Sequence, residues 1–525
     1  MQDLPVSTQF FKKLRKNNAV YVDKTEYIYE VLHKGGSYFM SRPRRFGKSL
    51  FLSTMMELAK SERALFEGTY VADKWDWSQK YPVIYLDFSP MSYEDLGLEN
   101  AIIKHLLPIY EENEIEPVAT DVKGLFLNLI LALYKKEGKV VVLIDEYDKP
   151  ILDTIEKDMP EERVQRERIM KKFYSVLKAC DQYLHCTFIT GIAKFAKVSL
   201  FSDLNHLMDL TMHPKFATAY GYTQTELEAS FADYLHAFLA KNEEYTMESL
   251  LEKIKEWYNG YSWDGKTRLY NPYGIIHFFE QGYFFNSWYA SGTPTFLIKK
   301  MLHANILEFE NVEVNTNYLD FKSIDRIDLT VLMFQSGYLT ITEMDKDRNA
   351  LLNYPNREVR ESIYHYLLDE INDTKSKGIT PIQFLAKAFR ANDLIRIEEL
   401  VSQVFYELSY DVYSKQTVQQ VEVFYHGIIN ILFKYVGLYV QSEVHTTRGR
   451  ADSVVETETH VYILEFKINE SAKIALQQIH DRDYARKYLA TSAFATQKNV
   501  VLIGANFNTN SRYLDDWEVE EIFKF

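Results

Sequence analysis

The first third of the chain alternates between short apolar runs and amphipathic stretches. Four runs have the length and flanking residues of strands: "GSYFMSR", "YPVIYLDFS", "KVVVLIDEYD" and "HCTFITGIAK". After the first run comes "GKSLFLSTMMELAKS", which has a helical period and places Leu50, Thr54 and Leu58 on one stripe. Strands that are apolar on both faces suit a parallel sheet covered by helices. The pattern therefore predicts an α/β fold for this part.

The pattern changes from about residue 213. "YGYTQTELEASFADYLHAF" and "LLEKIKEWYNGY" predict amphipathic helices rich in aromatic residues, and core packing is the expected role of Trp257–Tyr261. "DLTVLMFQSGYLTITEM" followed by "NALLNYPN" predicts a helix and a β-hairpin wing that turns at 345–349. A chain of 525 residues is too long for one core. The expected domains are an α/β core at 1–212, a helical lid with a winged-helix-like segment at 213–345, a helical connector at 346–415 with a hinge near 375–380, and a C-terminal domain at 416–525.

Composition narrows the functional class only slightly. The chain is 46% hydrophobic and 26% charged, as in ordinary globular proteins, and its formal net charge of −14 argues against unspecific coating of nucleic acid. Cys180 and Cys186 form no disulfide framework, which fits a reducing compartment. The start lacks a secretory signal, and the apolar run at 125–134 is too short to span a membrane. We therefore expect a cytoplasmic protein with no membrane partner.

The turn between the first predicted strand and helix carries Gly47-Lys48-Ser49. Such a strand–loop–helix turn suits phosphate, because free N–H groups at a helix start face the anion. Lys48 would contact the β- and γ-phosphate oxygens, and the Ser49 hydroxyl would bind Mg²⁺. Arg42 stands where a phosphate loop usually has its first glycine. The sequence therefore predicts an ATP·Mg²⁺ site with an unusual entry.

A second signal lies at the end of the third strand, where Asp145-Glu146 follows "VVVLI". Asp145 would bind the Mg²⁺ shell, and Glu146 would orient or deprotonate the attacking water. Thr190, at the end of the fourth strand, would sense the γ-phosphate. Lys194 and Lys197 could reach the same phosphate, but a solvent-exposed lysine is the simpler interpretation at each position. The predicted nucleotide contacts are Arg45, Phe46, Gly47, Lys48, Ser49, Leu50, Asp145 and Thr190.

The strand "VYILEFKI" near the C-terminus carries Glu465 and Lys467 on one face. If the preceding hairpin turns at 458–459, Asp452 lies opposite Glu465 with Cβ atoms ~5 Å apart. Two carboxylates this close favour a divalent cation between them, and Lys467 can position a water against a phosphodiester. Arg450 shares the face of Asp452 and could hold a phosphate. The sequence predicts a nuclease site that uses Mg²⁺ or Mn²⁺.

Four segments together resemble the bacterial and archaeal AAA-ATPase-like proteins: "LPVSTQFFKKLRKNNAVYVDKTEYIYEVL", "FMSRPRRFGKSLFLSTM", "VVLIDEYDKPI" and "TGIAKFAKVSLFSDLN". In that family the loop is written RPRRFGKS, so Arg42 is no defect, and a PD-(D/E)XK nuclease-like domain often follows. The resemblance implies an α/β P-loop NTPase sheet with a helical lid and winged-helix-like segment, then a small α/β restriction-endonuclease-like domain. It also implies that Gln478 contacts the substrate backbone and that Glu422 helps to bind metal, although Glu422 and His426 also suit a plain exposed pair.

Two classes of function remain open. In the first, nucleotide state regulates a metal-dependent nuclease that acts on DNA, in defence or in control of mobile elements. In the second, ATP toggles partner binding and the nuclease-like domain is a non-catalytic platform, which the net negative charge favours. A variant of the first class keeps the nuclease activity, but in it the nucleotide serves only as a structural ligand. Assembly into a homo-oligomer is compatible with each.

Overall fold

The computed structural model describes residues 1–6, 8–194, 206–288, 295–304, 306–319, 328–371, 380–406, 427–429, 431–434, 439–446, 449–489, 498–508 and 513–522. The chain divides into two compact units. The first unit consists of Met1–Phe296 with Phe309–Arg360, and the second consists of Leu297–Glu308 with Glu361–Phe525. Within the described ranges, no helix combines the length and the apolar character needed to cross a bilayer.

The helices of these ranges are α1 Phe11–Lys16, α2 Thr25–Lys34, α3 Lys48–Ala59, α4 Tyr93–Leu96, α5 Leu98–Glu112, α6 Val122–Glu137, α7 Lys149–Glu156, α8 Pro160–Ala179, α9 Gln224–Ser230, α10 Ala232–Leu239, α11 Met247–Tyr258, α12 Pro272–Gln281, α13 Thr295–His303, α14 Leu329–Gln335, α15 Arg357–Ile371, α16 Thr380–Ala391, α17 Leu394–Tyr406, α18 Ala472–Asp481 and α19 Arg486–Leu489. The strands are β1 Gly36–Ser41, β2 Val83–Asp87, β3 Val140–Asp145, β4 Leu184–Gly191, β5 Met208–Asp209, β6 Val312–Asn315, β7 Thr340–Met344, β8 Asn349–Asn353, β9 Tyr439–Thr446, β10 Gly449–Glu456, β11 His460–Ile468, β12 Asn499–Asn508 and β13 Tyr513–Ile522.

The first unit is built on a parallel sheet in the order β2-β3-β4-β1-β5. All four predicted strands are present, and every residue of β3 is buried, because an unbroken Val/Leu/Ile run suits a strand covered on both faces. The apolar run at 125–134 lies inside α6, which buries one side of its surface, as predicted for a core helix. The order of the strands places the carboxyl ends of β1, β3 and β4 together at one edge.

Four helices after the sheet, α9 to α12, form a core of aromatic and aliphatic side chains. Val20 and Val22, from the segment before α2, are buried in the same core. Thr223 and Thr246 cap α9 and α11 with reciprocal side-chain bonds, which explains why these helices begin where they do. The N-terminal segment thus packs on the helices predicted as a lid.

A three-stranded antiparallel sheet has the order β6-β8-β7, in which β6 precedes the short helix α14 and the β7–β8 hairpin follows it. The predicted helix and hairpin are both present, and the hairpin turns between Met344 and Asn349. The domain limit expected after residue 345 falls inside this turn, whereas the compact units divide near 296, 309 and 360. A composition change could not locate these limits, because they depend on contacts between residues that are distant in the chain.

The second unit contains a mixed sheet in the order β13-β12-β11-β10-β9. Strand β11 pairs antiparallel with β10 and parallel with β12. Ser453 lies opposite Leu464, which is the register predicted from a turn at 458–459. Helix α18 packs so closely on β12 that a Cβ on Gly504 would lie 2.3 Å from the Ala472 carbonyl oxygen. The hinge expected at 375–380 lies outside the described residues, apart from its last residue, Thr380, which begins α16.

Candidate nucleotide site and candidate nuclease site

The loop between β1 and α3 has a backbone that few sequences adopt. Gly47, the last residue before α3, has φ +87°, and Arg45 has φ +65°. A side chain at position 47 would meet nothing within 4 Å, so the glycine is required by its left-handed backbone and not by crowding. Helix α3 begins at Lys48, and its first N–H groups have no partner within the helix. The loop therefore presents amides and a lysine at one place.

Lys48 is a buried cation at this helix start, with 4% of its surface exposed. Its Nζ donates to the Pro43 carbonyl oxygen at 3.1 Å and lies 3.4 Å from Glu146 Oε1. A buried ammonium needs such partners, because desolvation penalises an isolated charge. The predicted lysine and the predicted catalytic glutamate are thus brought together.

Asp145, the last residue of β3, is fully buried beside the same loop. The Ser49 hydroxyl lies close enough to act on its carboxyl group, and the Tyr85 hydroxyl donates to Oδ2 at 3.4 Å. Burial, and then the neighbouring Glu146 charge, raise the pKa of Asp145 to about 6, although Ser49 and Lys48 act in the opposite direction. The geometry therefore joins the two residues predicted to hold Mg²⁺, in a site that favours a cation.

A cavity of about 610 Å³ opens over the loop and has the volume of a small-molecule site. One wall is the phosphate loop with Glu146, and the other walls come from the N-terminal segment and from the helical region. The N-terminal wall includes Val20, Tyr21 and Val22, which no phosphate-binding pattern in the sequence indicates. Their only sequence signal was the apolar "AVYV", which gives no hint that it folds back over the loop.

Thr190 does not line this cavity. Its side chain is fully buried, and its hydroxyl donates to the Met40 carbonyl oxygen at 2.6 Å, which fastens β4 to β1. Lys194 is also buried and forms an ion pair with Asp209 at 3.0 Å, so it is not the exposed lysine expected from the sequence. Lys197 lies outside the described residues. The sequence correctly places Thr190 at the end of a strand, but it does not indicate the direction of the Thr190 hydroxyl.

Asp148 is a buried residue that sequence reasoning missed. Its Oδ2 accepts the amides of Ile192 at 3.0 Å and Ala193 at 2.6 Å, while Oδ1 has no partner among the described residues. Burial and the Glu146 charge raise the pKa of Asp148 to about 7. A Cβ on Gly191 would lie 2.3 Å from Oδ1, so the glycine makes room for this carboxyl. Asp148 ties the chain after β3 to the end of β4.

The three arginines of the loop have three different surroundings. Arg42 is buried, donates to the carbonyl oxygens of Ser41 and Thr211 at 2.9 Å each, and lies 4.0 Å from the centre of the Trp263 ring. Burial lowers the pKa of Arg42 to about 9. Arg44 forms a surface ion pair in which its Nη2 lies 3.6 Å from Glu156 Oε1. The guanidinium of Arg45 lies 3.7 Å from the centre of the Tyr273 ring. Arg42 braces the loop, whereas Arg44 and Arg45 line the cavity.

The second site lies where β10 and β11 pair. Asp452 Oδ2 accepts the Phe466 amide at 2.9 Å, and Lys467 Nζ lies 3.3 Å from Glu465 Oε1. Glu465 is only 2% exposed. Burial, and then the Asp452 charge, raise its pKa to about 7, whereas Lys467 acts to lower it. The structure thus brings the predicted Asp, Glu and Lys together.

Gln478 of α18 reaches the same site and donates to Glu465 Oε1, whereas Oε2 is buried with no partner in the described part of the chain. Such an oxygen is a ready ligand for a hard cation. Arg450 pairs through its backbone with His445, and its side chain is not described. Glu422 and His426 lie outside the described residues, which themselves contain no group of three metal-binding side chains.

The first unit therefore has the fold and loop of P-loop NTPases, and the second carries the strand pair of PD-(D/E)XK nucleases. Comparison with known proteins agrees. Residues 5–201 match the family model described as "Predicted AAA-ATPase", and residues 420–517 match that of the PD-(D/E)XK nuclease superfamily. The chain is 34% identical over 529 residues, 99% of both chains, to a protein of Azotobacter chroococcum mcd 1 described as "Uncharacterized protein in vnfD 5'region". It belongs to the AAA-ATPase-like family, and it carries a PD-(D/E)XK nuclease superfamily domain in its C-terminal part.

Proposed function

We propose that the first unit binds and hydrolyses ATP with Mg²⁺. The observation that carries this proposal is the cavity, which is lined by Lys48 and Ser49 at the start of α3 and by Glu146, while Asp145 is buried next to Glu146 at the end of β3. When bound, Mg²⁺ would neutralise the charge that develops on the phosphates. Ser49 and Asp145 would hold the ion, and Lys48 would hold the phosphate oxygens.

Glu146 has two tasks in this proposal. Its contact with Lys48, at 3.4 Å, keeps the lysine charge compensated while no phosphate is present. Phosphate oxygens would replace the carboxylate as the partner of Lys48. Glu146 would then be released to accept a hydrogen bond from the attacking water and to receive its proton.

We propose that the second unit cleaves phosphodiester bonds in DNA with a divalent cation. The buried Glu465 Oε2 supports this, because a side-chain oxygen without a partner is expensive to bury and a cation beside Asp452 would satisfy it. When bound, the cation would stabilise the charge of the pentacovalent transition state. Lys467 would position the attacking water, while Gln478 fixes the orientation of Glu465, and Arg450 would hold a phosphate.

The family architecture supports a regulatory link, in which nucleotide state controls cleavage, with defence or control of mobile elements as the setting. The second candidate is an ATP-dependent interaction switch with a non-catalytic nuclease-like domain. It is favoured by the net charge of −14 and by the acidic side chains of β13, such as Glu518 and Glu520, which would repel a DNA backbone.

The test compares nicking of supercoiled DNA with Mg²⁺ or Mn²⁺, in the presence and absence of ATP, for the wild type and four variants. Lys48→Ala removes the phosphate-binding cation, and Lys60→Ala is its control at the exposed end of the same helix. Asp452→Ala removes one carboxylate, and Glu458→Ala is its control in the exposed turn of the same hairpin. ATP hydrolysis is measured in parallel by phosphate release.

We expect Asp452→Ala to abolish nicking while ATP hydrolysis continues, and Lys48→Ala to abolish hydrolysis and remove the effect of ATP on nicking. Both control variants should behave as the wild type. Nicking that survives Asp452→Ala would refute the assigned site. A wild type that hydrolyses ATP but cleaves no nucleic acid would instead favour the interaction switch.

A further inference from the structure

The segment at 257–265, "WYNGYSWDG", lies against the phosphate loop. Phe46 precedes Gly47 in the loop and is buried, and its ring meets those of Tyr261 at 4.7 Å and Trp263 at 5.4 Å, both edge-on. The Arg42 guanidinium, at the other end of the loop, lies 4.0 Å from the centre of the Trp263 ring. The two buried side chains that flank the loop therefore both contact the Trp263 ring.

The segment is itself held rigidly. Gly260 has φ +117°, and a Cβ there would lie 1.8 Å from the Pro355 carbonyl oxygen, so the backbones touch at this point. Tyr261 and Leu269 exchange backbone hydrogen bonds at 3.2 and 2.9 Å. Asp264 closes the following turn by accepting the amide of Thr267 at 2.8 Å. The two rings that face the loop thus project from a backbone with little freedom.

The loop needs an external support of this kind. It contains two left-handed residues, Arg45 and Gly47, and a backbone in that region persists only where its surroundings fix it. Phosphate recognition by amides requires the loop to hold its shape before the ligand arrives, because misplacement by about 1 Å weakens such sites strongly.

We propose that residues 260–265 of this segment form a platform that positions the phosphate loop, with Tyr261 and Trp263 as positioning residues for nucleotide. This inference rests on the proposed nucleotide binding. It assigns a task to a segment whose sequence suggested only core packing. The aromatic character of position 263 matters most, since the ring contacts Phe46 and Arg42 at once.

Trp257 provides a matched control within the same segment. It is buried to a similar degree, but its rings pack on Tyr258 at 6.1 Å, Phe284 at 6.0 Å and the Arg357 guanidinium at 4.6 Å. If the segment were only core, leucine at 257 and at 263 would have similar consequences. If the segment positions the loop, only the change at 263 would impair nucleotide binding.

The experiment measures the affinity of the full chain for a fluorescent ATP analogue with Mg²⁺, together with the urea midpoint without nucleotide. We expect Trp263→Leu to weaken binding by roughly tenfold or more, and Trp257→Leu to weaken it less than about threefold, at similar losses of stability. Trp263→Phe keeps a ring and should restore most of the affinity. If Trp263→Leu does not fold, Phe46→Leu removes the same contact from the loop side and should give the same loss.

Equal binding by the two leucine variants would overturn the positioning role while leaving nucleotide binding intact. Equal weakening by Trp263→Phe and Trp263→Leu would also overturn it, because the ring would then not matter. A wild type that binds no nucleotide would overturn the proposed function itself, and the positioning role with it.

Discussion

Replacing Glu358 with glutamine should stabilise the protein much more at pH 8 than at pH 5. Glu358 lies in the first turn of α15 and is only 1% exposed. Its Oε1 accepts the Ser287 hydroxyl at 2.5 Å and the Trp288 amide at 2.9 Å, whereas Oε2 has no partner among the described residues. Burial raises the pKa of Glu358 to about 7, although these hydrogen bonds and the charge of Arg45 oppose that rise.

The sign follows from proton linkage. Below a pH of about 4.5 the carboxyl is protonated in both states, and it makes no difference to stability. As the pH rises from 4.5 to about 7, the unfolded chain releases the proton and the folded chain retains it, so the free energy of unfolding falls. Above about 7 the loss is complete and amounts to about 3 kcal/mol. Glutamine keeps an acceptor oxygen for Ser287 and Trp288 and removes the titration.

Urea unfolding of the wild type and Glu358→Gln between pH 5 and pH 8 measures the effect. We expect the stability advantage of the variant to grow from about 1 kcal/mol at pH 5 to about 3 kcal/mol at pH 8. Glu248→Gln, a change in the exposed first turn of α11, should show no such growth. The Tyr261 hydroxyl also faces the carboxyl, and burial raises the pKa of Tyr261 well above its ordinary value, so it does not titrate in this range. A difference that is independent of pH, or that reverses, would refute the reasoning.

Two further predictions use substitutions with internal controls, each measured as a change in the free energy of unfolding in urea. Gly260→Ala should lower the free energy of unfolding by more than about 3 kcal/mol, because its Cβ would collide with the Pro355 carbonyl oxygen. The control Gly68→Ala, also at positive φ but in open space, should lower it by only about 1 kcal/mol. Similar losses at both positions would contradict the contact. Arg42→Lys should lower the free energy of unfolding by about 2 kcal/mol, because lysine cannot both reach two carbonyl oxygens and stack on an aromatic ring. The control Arg44→Lys should lower it by less than about 0.5 kcal/mol, because the ion pair of Arg44 is exposed. The bracing role of Arg42 would be refuted if the two lysine variants were equally stable.

Much of the fold could be predicted from local patterns. The four strands of the first sheet are short apolar runs, and Gly47-Lys48 marks the turn that begins α3. The β10–β11 register was predictable because the side-chain alternation and one turn position together fix every pair. Features of this kind are determined within about fifteen residues of chain, so a single sequence contains them.

The features that could not be predicted depend on distant residues. The N-terminal segment at 20–22 forms part of a wall of the cavity, which a local pattern cannot indicate. Asp148 becomes a buried link only because β3 and β4 are neighbours in the sheet. Thr190 was correctly placed at a strand end, but its hydroxyl direction depends on pairing with β1. These cases share one cause, which is that sheet order and lid packing decide what a side chain meets.

The arginine run shows how such packing divides neighbouring residues between tasks. Arg42 is buried among carbonyl oxygens and an aromatic ring, and moving its charge to a phosphate would forfeit all of those contacts. Arg45 makes a stack worth about 0.5–1 kcal/mol at an exposed site, and a charge-assisted bond to phosphate exceeds that. Arg44 has only a weak exposed ion pair to exchange. Bracing therefore belongs to Arg42, and the cations that can change partner when a polyphosphate enters the cavity are Arg44, Arg45 and Lys48.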